Sequence, residues 1–298
     1  MKTEMTKQLE QRRPPFEFPD DIDPQWIPDK PELAAMINGA SLTMPYLEPF
    51  LIRTIREASK QIKDEALLAD ANGFNAQEGM HFRMHRQFND LLKKKRYPEL
   101  AEIEEAMAEN YKRLEKRSLR TRMAYTAGFE TMTLGLTKWL VENRVQLFAG
   151  ADPRPASFVL WHMVEETEHK KVAFDVYQSL YPSGLANYFA RVLGVFHGSF
   201  DVMRFSMRAY KVMLKKDGLW SNFKSRLRLA RYLSAFVYHV GPYLIRGTLP
   251  GHDPRHEKDP QWVLDWLDGY DGGPVEQPPL IDTQDPTMPV PFASAQAA

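Results

Sequence analysis

Residues 161–177 of this chain read WHMVEETEHKKVAFDVY. This stretch contains Glu166 and His169, three positions apart in a segment rich in helix-forming residues. At about 100° per residue, positions i and i+3 lie on one face of a helix, so this pair can bind one metal ion from a single helix. His162 lies one turn before Glu166 on the same face. The stretch therefore predicts a helix that presents metal ligands.

A second stretch, QEGMHFRMH at residues 77–85, repeats this arrangement. Glu78 and His81 form its Glu-x-x-His pair, and His85 lies one turn further along. A single pair is compatible with chance in a chain of 298 residues. Two pairs, each on a helix and each with an additional histidine, are typical of bundles that hold two metal ions.

Composition narrows the ligand chemistry. The chain has 39 Lys and Arg, 39 Asp and Glu, eight His and no cysteine. Disulfides, thiolate zinc sites, iron–sulfur clusters and cysteine nucleophiles are therefore excluded. Zero formal net charge gives no overall basic field, and we expect no nucleic-acid partner. Because the sequence shows neither a signal peptide nor an apolar run of about 20 residues, we expect a cytoplasmic protein.

Apolar residues spaced three and four apart predict a mainly helical chain. The predicted helices cover residues 44–62, 64–96, 99–116, 119–148, 155–180, 186–216 and 219–238. Breaks are expected at residues 97–98, 150–153 and 182–184. Proline-rich sequence at both ends predicts extended arms rather than packed elements. We divide the chain into an N-terminal arm, a bundle, additional C-terminal helices packed on the bundle and an acidic tail, at residues 1–42, 43–181, 182–248 and 249–298.

A di-metal bundle also needs one inward carboxylate from each of two further helices. Glu48 and Glu130 fit by spacing, because ligands on antiparallel helices meet at one height when the loop lies midway between them. The midpoint between Glu48 and Glu78 falls beside a predicted N-cap, Asp64. The midpoint between Glu130 and Glu166 falls next to a glycine–proline break.

The same spacing decides two ambiguous segments. The dipeptide Asn72-Gly73 resembles a turn, but a turn there would move Glu78 to the wrong height, so we expect the helix to continue. The charged segment 99–116 crosses the bundle as its own helix. The prediction is an all-α protein, a ferritin-like four-helix bundle with a crossover helix and extra C-terminal helices.

Three glutamates compete for the ligand position on the helix predicted at 155–180. Glu166 lies within roughly 30° of the centre of the apolar face. Glu165 lies about 80° away, so we place it beside the ligands, where it would serve as the base if the site hydrolyses its substrate. Glu168 is predicted to point to solvent.

On the helix of Glu130, Thr126 and Thr133 share the face of the ligand. They either line a pocket beside open metal positions or only bond backbone carbonyls one turn back, and the sequence favours neither alternative. Gly128 and Gly135 permit close approach of another helix.

Charge balance favours two divalent cations. Four carboxylates offset two such ions, whereas without metal they would repel one another or take up protons in a buried site. Iron or manganese suits this mixed oxygen and nitrogen set, while zinc usually takes fewer ligands. We expect two iron ions, with manganese or zinc as alternatives. His85 and His162 either bind metal or orient another ligand.

Both histidine-bearing stretches, together with LPGHDP at residues 249–254, resemble the bacterial predicted metal-dependent hydrolase family. The resemblance spans roughly residues 44–254 and implies a ferritin-like fold with a dinuclear metal site. A weaker similarity is to the di-iron N-oxygenases of the p-aminobenzoate type. Their ligand pattern is matched by Glu48, Glu78, His81, Glu130, His162, Glu166 and His169, and His85 is an addition to it.

Charge is unevenly distributed near the C-terminus. Residues 186–246 hold eleven Lys and Arg against two Asp, and residues 247–298 hold nine Asp and Glu against two basic residues. We expect the acidic tail to dock on the basic helices, within one chain or across a homodimer. Peripheral contact of residues 186–246 with an anionic membrane is the alternative.

Three functions fit these features. We favour a di-iron oxidase or oxygenase that uses O₂ to oxidise a small organic substrate. A two-metal hydrolase and a non-enzymatic metal-binding protein are the alternatives. The sequence does not identify the substrate.

Overall fold

The computed structural model describes residues 9–182, 184–270 and 276–292, and over these ranges the protein is all-helical, as predicted. Parts of both predicted arms, and Ser183 in a predicted break, lie outside the described residues. The helices are α1 Pro31–Ser41, α2 Met44–Ser59, α3 Glu65–Lys95, α4 Leu100–Glu115, α5 Leu119–Glu142, α6 Arg144–Phe148, α7 Pro153–Glu168, α8 Val172–Leu180, α9 Leu185–Lys216, α10 Phe223–Gly247 and α11 Gln261–Gly269.

Helices α2, α3, α5 and the α7–α8 pair form the bundle that carries the predicted ligands. Helix α2 packs on α3 and α5, and α5 packs on α7 and α8, while α4 links α3 to α5. Asp64 caps α3 as expected, accepting hydrogen bonds from the backbone N–H groups of Ala66 and Leu67 at 2.9 and 3.2 Å. Helix α3 continues through Asn72-Gly73, which confirms the choice made from ligand spacing.

Several helix boundaries differ from the prediction, most clearly in three segments. The segment predicted as 119–148 divides at Asn143, and the segment predicted as 155–180 divides after Glu168. Helix α10 continues to Gly247, beyond the predicted end at residue 238. It accommodates Pro242 because Tyr238, four residues earlier, is 75% exposed, so water can bond the carbonyl that the proline leaves without a donor.

The prediction that both ends are extended arms is wrong for the described residues. At the N-terminus, Phe16, Ile22 and Trp26 are buried, and α1 follows them. At the C-terminus, Ile281 and Met288 of the proline-rich segment are buried, and α11 before it buries Trp262 and Trp266. Apolar and aromatic side chains between the prolines anchor both segments, and burial of such side chains offsets the entropy lost on ordering.

The acidic tail meets the basic segment at one ion pair among the described residues, from Arg246 to Glu257 at 2.6 Å. Helix α11 instead packs on α7 and α5. Besides this ion pair, Arg191 of the basic segment donates to the carbonyls of Gly247 and Leu249. The rest of the described tail does not dock across the basic helices, because the buried tryptophans hold α11 elsewhere.

Helices α9 and α10 both pack on α5. As expected, Gly128 permits close approach: a Cβ atom there would overlap the backbone of Gly194 on α9. A Cβ at Gly135 would lie 3.0 Å from Val240 of α10. Within the described ranges, the helices include none with the length and hydropathy needed to cross a membrane.

Candidate metal centre

All eight predicted metal-ligating residues are buried in one region of the bundle core. Their carboxylate oxygens and imidazole nitrogens form overlapping groups of three or four, and within each group the atoms lie within 4.8 Å of one another. The contributing residues are Glu48 of α2, Glu78, His81 and His85 of α3, Glu130 of α5, His162 and Glu166 of α7, and His169 just after α7.

One half of the cluster surrounds His169. Its Nε2 atom lies 3.3 Å from Glu78, 3.7 Å from Glu130 and 3.6 Å from Glu166. Three carboxylates and one imidazole thus converge on a space of the size that one cation would fill.

The other half surrounds His81 and His162. His162 Nε2 lies 2.9 Å from Glu166 and 3.7 Å from Glu48. His81 Nδ1 lies 3.8 Å from both Glu78 and Glu166. Since Glu78 and Glu166 contact both halves, they stand where bridging carboxylates would join two ions.

Buried polar atoms without a hydrogen-bond partner indicate whether the cluster suits a metal ion. Among the described residues, both carboxylate oxygens of Glu48, Glu78 and Glu130 are buried without a hydrogen bond, as are His81 Nδ1 and His169 Nε2. Each such atom would cost roughly 1–3 kcal/mol if it stayed unsatisfied. They all face one another, so cations bound between them would satisfy the whole set.

The outer ring nitrogen of His81 is held by a buried ion pair. His81 Nε2 lies 2.9 Å from Glu165, and Arg12 donates to the other oxygen of that carboxylate at 3.3 Å. The carboxylate of Glu165, paired with Arg12, accepts the Nε2 proton, which leaves the Nδ1 lone pair directed into the cluster.

His169 is oriented in the same way by an amide. Gln77 donates from Nε2 to Glu168 at 2.6 Å and to the Glu10 carbonyl at 3.0 Å, so its Oε1 atom faces His169 Nδ1 at 2.9 Å. That oxygen accepts the Nδ1 proton, and the Nε2 lone pair of His169 points at the three carboxylates.

A third chain of hydrogen bonds fixes His162. Ser41 donates to Asn89 at 2.7 Å and therefore accepts from His85 Nδ1 at 2.8 Å. Burial lowers the pKa of His85 well below its ordinary value, so the ring is neutral and its Nε2 atom accepts from His162 Nδ1 at 2.7 Å. His162 thus directs its Nε2 lone pair toward Glu166 and Glu48, and both ring nitrogens of His85 are engaged in hydrogen bonds.

Burial and mutual repulsion dominate the electrostatics of the metal-free cluster. Burial, reinforced by the charge of Glu166, raises the pKa of Glu78 to about 8. Burial likewise raises the pKa values of Glu48 and Glu130 well above their ordinary range. Burial would also raise the pKa of Glu166, but His169 and His162 outweigh it and hold that pKa well below the usual value.

The remaining predicted residues lie around the cluster. The hydroxyls of Thr126 and Thr133 donate to backbone carbonyls at 3.0 and 2.8 Å, as in the second alternative for them. Glu165 is fully buried beside His81. The prediction that Glu168 points to solvent is wrong, because its carboxylate bonds Arg12 at 2.6 and 3.1 Å.

Four residues that help to orient the predicted ligands were not predicted from the sequence. Gln77 stands directly before Glu78, and its position next to a ligand was the available signal. Ser41 and Asn89 carry no pattern of their own. Arg12 was missed because it lies in the segment taken for an extended arm.

A cavity of about 150 Å³ reaches the cluster from one side. Its polar lining within the described residues is small: Ser41, His85, His162, Ser206, and the polar ends of Trp139 and Tyr210. The other lining side chains are aliphatic, methionine or phenylalanine, contributed by α1, α2, α5, α7, α9 and α10. His85 and His162 mark where the cavity meets the cluster.

Comparison with known proteins agrees with this geometry. One family model, described as predicted metal-dependent hydrolase, matches residues 10–258. The chain belongs to this family. The match to the family includes the N-terminal segment with Arg12 and confirms the resemblance based on the two Glu-x-x-His stretches. No curated protein and no solved structure matches the chain, so the similarity to the N-oxygenases stays without support.

Arg12 offers a test of how the ligands are held. We expect Arg12→Met to weaken metal binding roughly 10–100-fold, because Glu165 and Glu168 lose their counter-ion and no longer fix His81 and Gln77. Competition against a chromogenic chelator measures the affinity. Arg13→Met is the matched control, since Arg13 is exposed. Equal affinities for the two variants, both folded by circular dichroism, would contradict the assignment.

The raised carboxyl pKa values predict a pH dependence that metal removes. Glu78 titrates near 4.5 in the unfolded chain and near 8 when folded, so the metal-free protein loses stability as pH rises between these values. The loss is at most about 1.4 kcal/mol per pH unit for each proton. Thermal unfolding between pH 5 and 8 should show a falling Tm without metal and none of this fall with metal. Glu78→Gln should flatten the metal-free slope, and an unchanged slope would refute this assignment.

Proposed function

We propose that this protein is a di-iron enzyme that uses O₂ to oxidise a small apolar organic substrate. The observation that carries the proposal is the cavity that meets the cluster at His85 and His162. Within the described residues, no Lys, Arg, Asp or Glu lines it. It therefore suits a ligand bound by apolar contact and shape.

Two ferrous ions held by this carboxylate and imidazole set would supply two of the four electrons that reduce O₂, and the substrate would supply the other two. The chain's own residues prepare the site for this chemistry. Glu48, Glu78, Glu130 and Glu166 balance the charge of two divalent ions. The apolar walls exclude bulk water from the side on which the substrate would bind, and His162, itself part of the cluster, lines that cavity.

Two observations weigh against the two-metal hydrolase, the function that the family description names. An ester or phosphoryl substrate is bound best where cations or several hydrogen-bond donors meet its oxygens, and the part of the cavity lining that the structure describes has no Lys or Arg and few polar side chains. Glu165, the proposed base, holds His81 and pairs with Arg12, so its carboxylate is already engaged.

The test compares iron with a redox-inert metal. Protein loaded with Fe²⁺ under anaerobic conditions should consume O₂ on exposure and yield an oxidised product from a panel of medium-chain alkanes, alkenes and alcohols. An oxygen electrode and mass spectrometry with ¹⁸O₂ provide the readouts. Zinc-loaded protein should be inactive. Hydrolysis of ester substrates by the zinc-loaded form, with no O₂ uptake by the iron form, would contradict the proposal.

A cavity variant separates substrate binding from metal binding. Ala40→Phe places a ring in the cavity and should lower substrate oxidation at least about tenfold while metal content stays unchanged. Ala101→Phe adds the same ring at an exposed position of α4 and serves as the control.

A further inference from the structure

Helix α9 exposes an apolar stripe to solvent. Its members, spaced three or four residues apart along most of the helix, are Leu185, Phe189, Leu193, Phe196, Phe200 and Met207. Phe200 is 60% exposed and Leu193 is 68% exposed. The opposite side of α9 is buried against α5 and α1, so the stripe is not needed for the core.

Helix α10 carries a second stripe with the same character. It comprises Phe223, Leu227, Val237, Tyr238 and Ile245, each more than 60% exposed. Helix α10 follows α9 through a short connection, and both pack on α5. The two stripes together, here named the apolar face, expose more large apolar side chains than the rest of the described surface, where Leu249, Leu264 and Leu280 stand apart.

Basic side chains border the apolar face. The exposed ones that form no ion pair within the described residues are Arg208, Lys211, Lys215, Lys224, Arg226 and Arg231. The two acidic residues of this segment are engaged elsewhere: Asp201 bonds Asn110 and Arg204, and Asp217 bonds Tyr97, Gln25 and Arg96. These basic residues form a positively charged rim around the apolar face, and the acidic residues of the segment do not neutralise it.

We propose that the apolar face binds the surface of an anionic lipid bilayer. Apolar side chains would enter the boundary between headgroups and acyl chains, and the basic rim would pair with the lipid phosphates. A second copy of this chain is a poorer occupant, because a symmetric contact would bring two uncompensated basic rims together. Each helix lies on the bilayer rather than across it, since its inner side is already buried against α5.

The cavity opens on the same face. Among its lining residues, Met207 is 41% exposed, and the half-buried Met203, Leu233 and Phe236 lie beside it between α9 and α10. An apolar compound dissolved in the bilayer can therefore reach the cluster without crossing water. This route to the substrate rests on the proposed function, whereas bilayer binding stands independently of it.

Vesicle flotation of the metal-loaded protein tests the proposal. Vesicles of phosphatidylcholine with phosphatidylglycerol should carry the protein to the top of the gradient, and pure phosphatidylcholine should carry much less. Phe196→Ser with Phe200→Ser, and separately Arg208→Glu with Lys211→Glu, should each weaken binding at least about tenfold. The matched controls, Leu264→Ser with Leu280→Ser and Lys60→Glu with Lys63→Glu, change exposed residues elsewhere and should bind like the parent. Equal flotation of all variants, or none for the parent, would overturn the proposal.

The absence of cysteine permits a second readout that needs no loss of binding. A nitroxide attached at Phe200→Cys or Leu227→Cys should become more accessible to O₂ and less accessible to a polar nickel complex when vesicles are added. The same label at Leu264→Cys should not change. Burial of the first two labels without vesicles, together with dimer mass by light scattering, would instead assign the apolar face to a second copy. Neither readout measures catalysis, so failure here is distinguishable from failure of the proposed oxidation.

Discussion

Four carboxylates that repel one another lie buried in the core of this bundle. Glu48, Glu78, Glu130 and Glu166 converge from four helices into a core where the ionised forms have lost their water and, for the most part, lack hydrogen bonds. Such an arrangement is costly unless cations offset it. The metal-free protein responds by raising the pKa values of three of the four carboxyls. The core of the bundle thus requires a positive charge that its own side chains do not supply.

Residues that hold the predicted ligands connect the cluster to the N-terminal and the C-terminal segments of the chain. Arg12 reaches the centre from the N-terminal segment, and the rings of Trp266 and Tyr270 from the C-terminal segment lie 5.7 and 5.0 Å from its guanidinium. One cation therefore compensates Glu165 and Glu168 and also joins the two termini at the site. Loss of either terminal segment would loosen His81 and Gln77 as well as expose apolar surface.

The metal-ligating residues could be predicted because two local properties can be read from the sequence. These are the helical periodicity and the position of each loop midway between the ligands of the two helices that it joins. They placed Glu78, His81, Glu166 and His169 together before any tertiary contact was known. Arg12 could not be found this way, since its partner Glu165 lies 153 positions away and no period connects them. The packed termini were missed for a related reason: proline content indicates where regular elements end, and it does not show whether interspersed aromatic residues find a core.

Whether this cluster holds two metal ions can be measured by the anomalous scattering of iron-loaded crystals. We expect two anomalous peaks per chain, one beside Glu130 and His169 and the other beside Glu48, His81 and His162, with Glu78 and Glu166 between them. A single peak, or peaks outside these residues, would contradict this expectation.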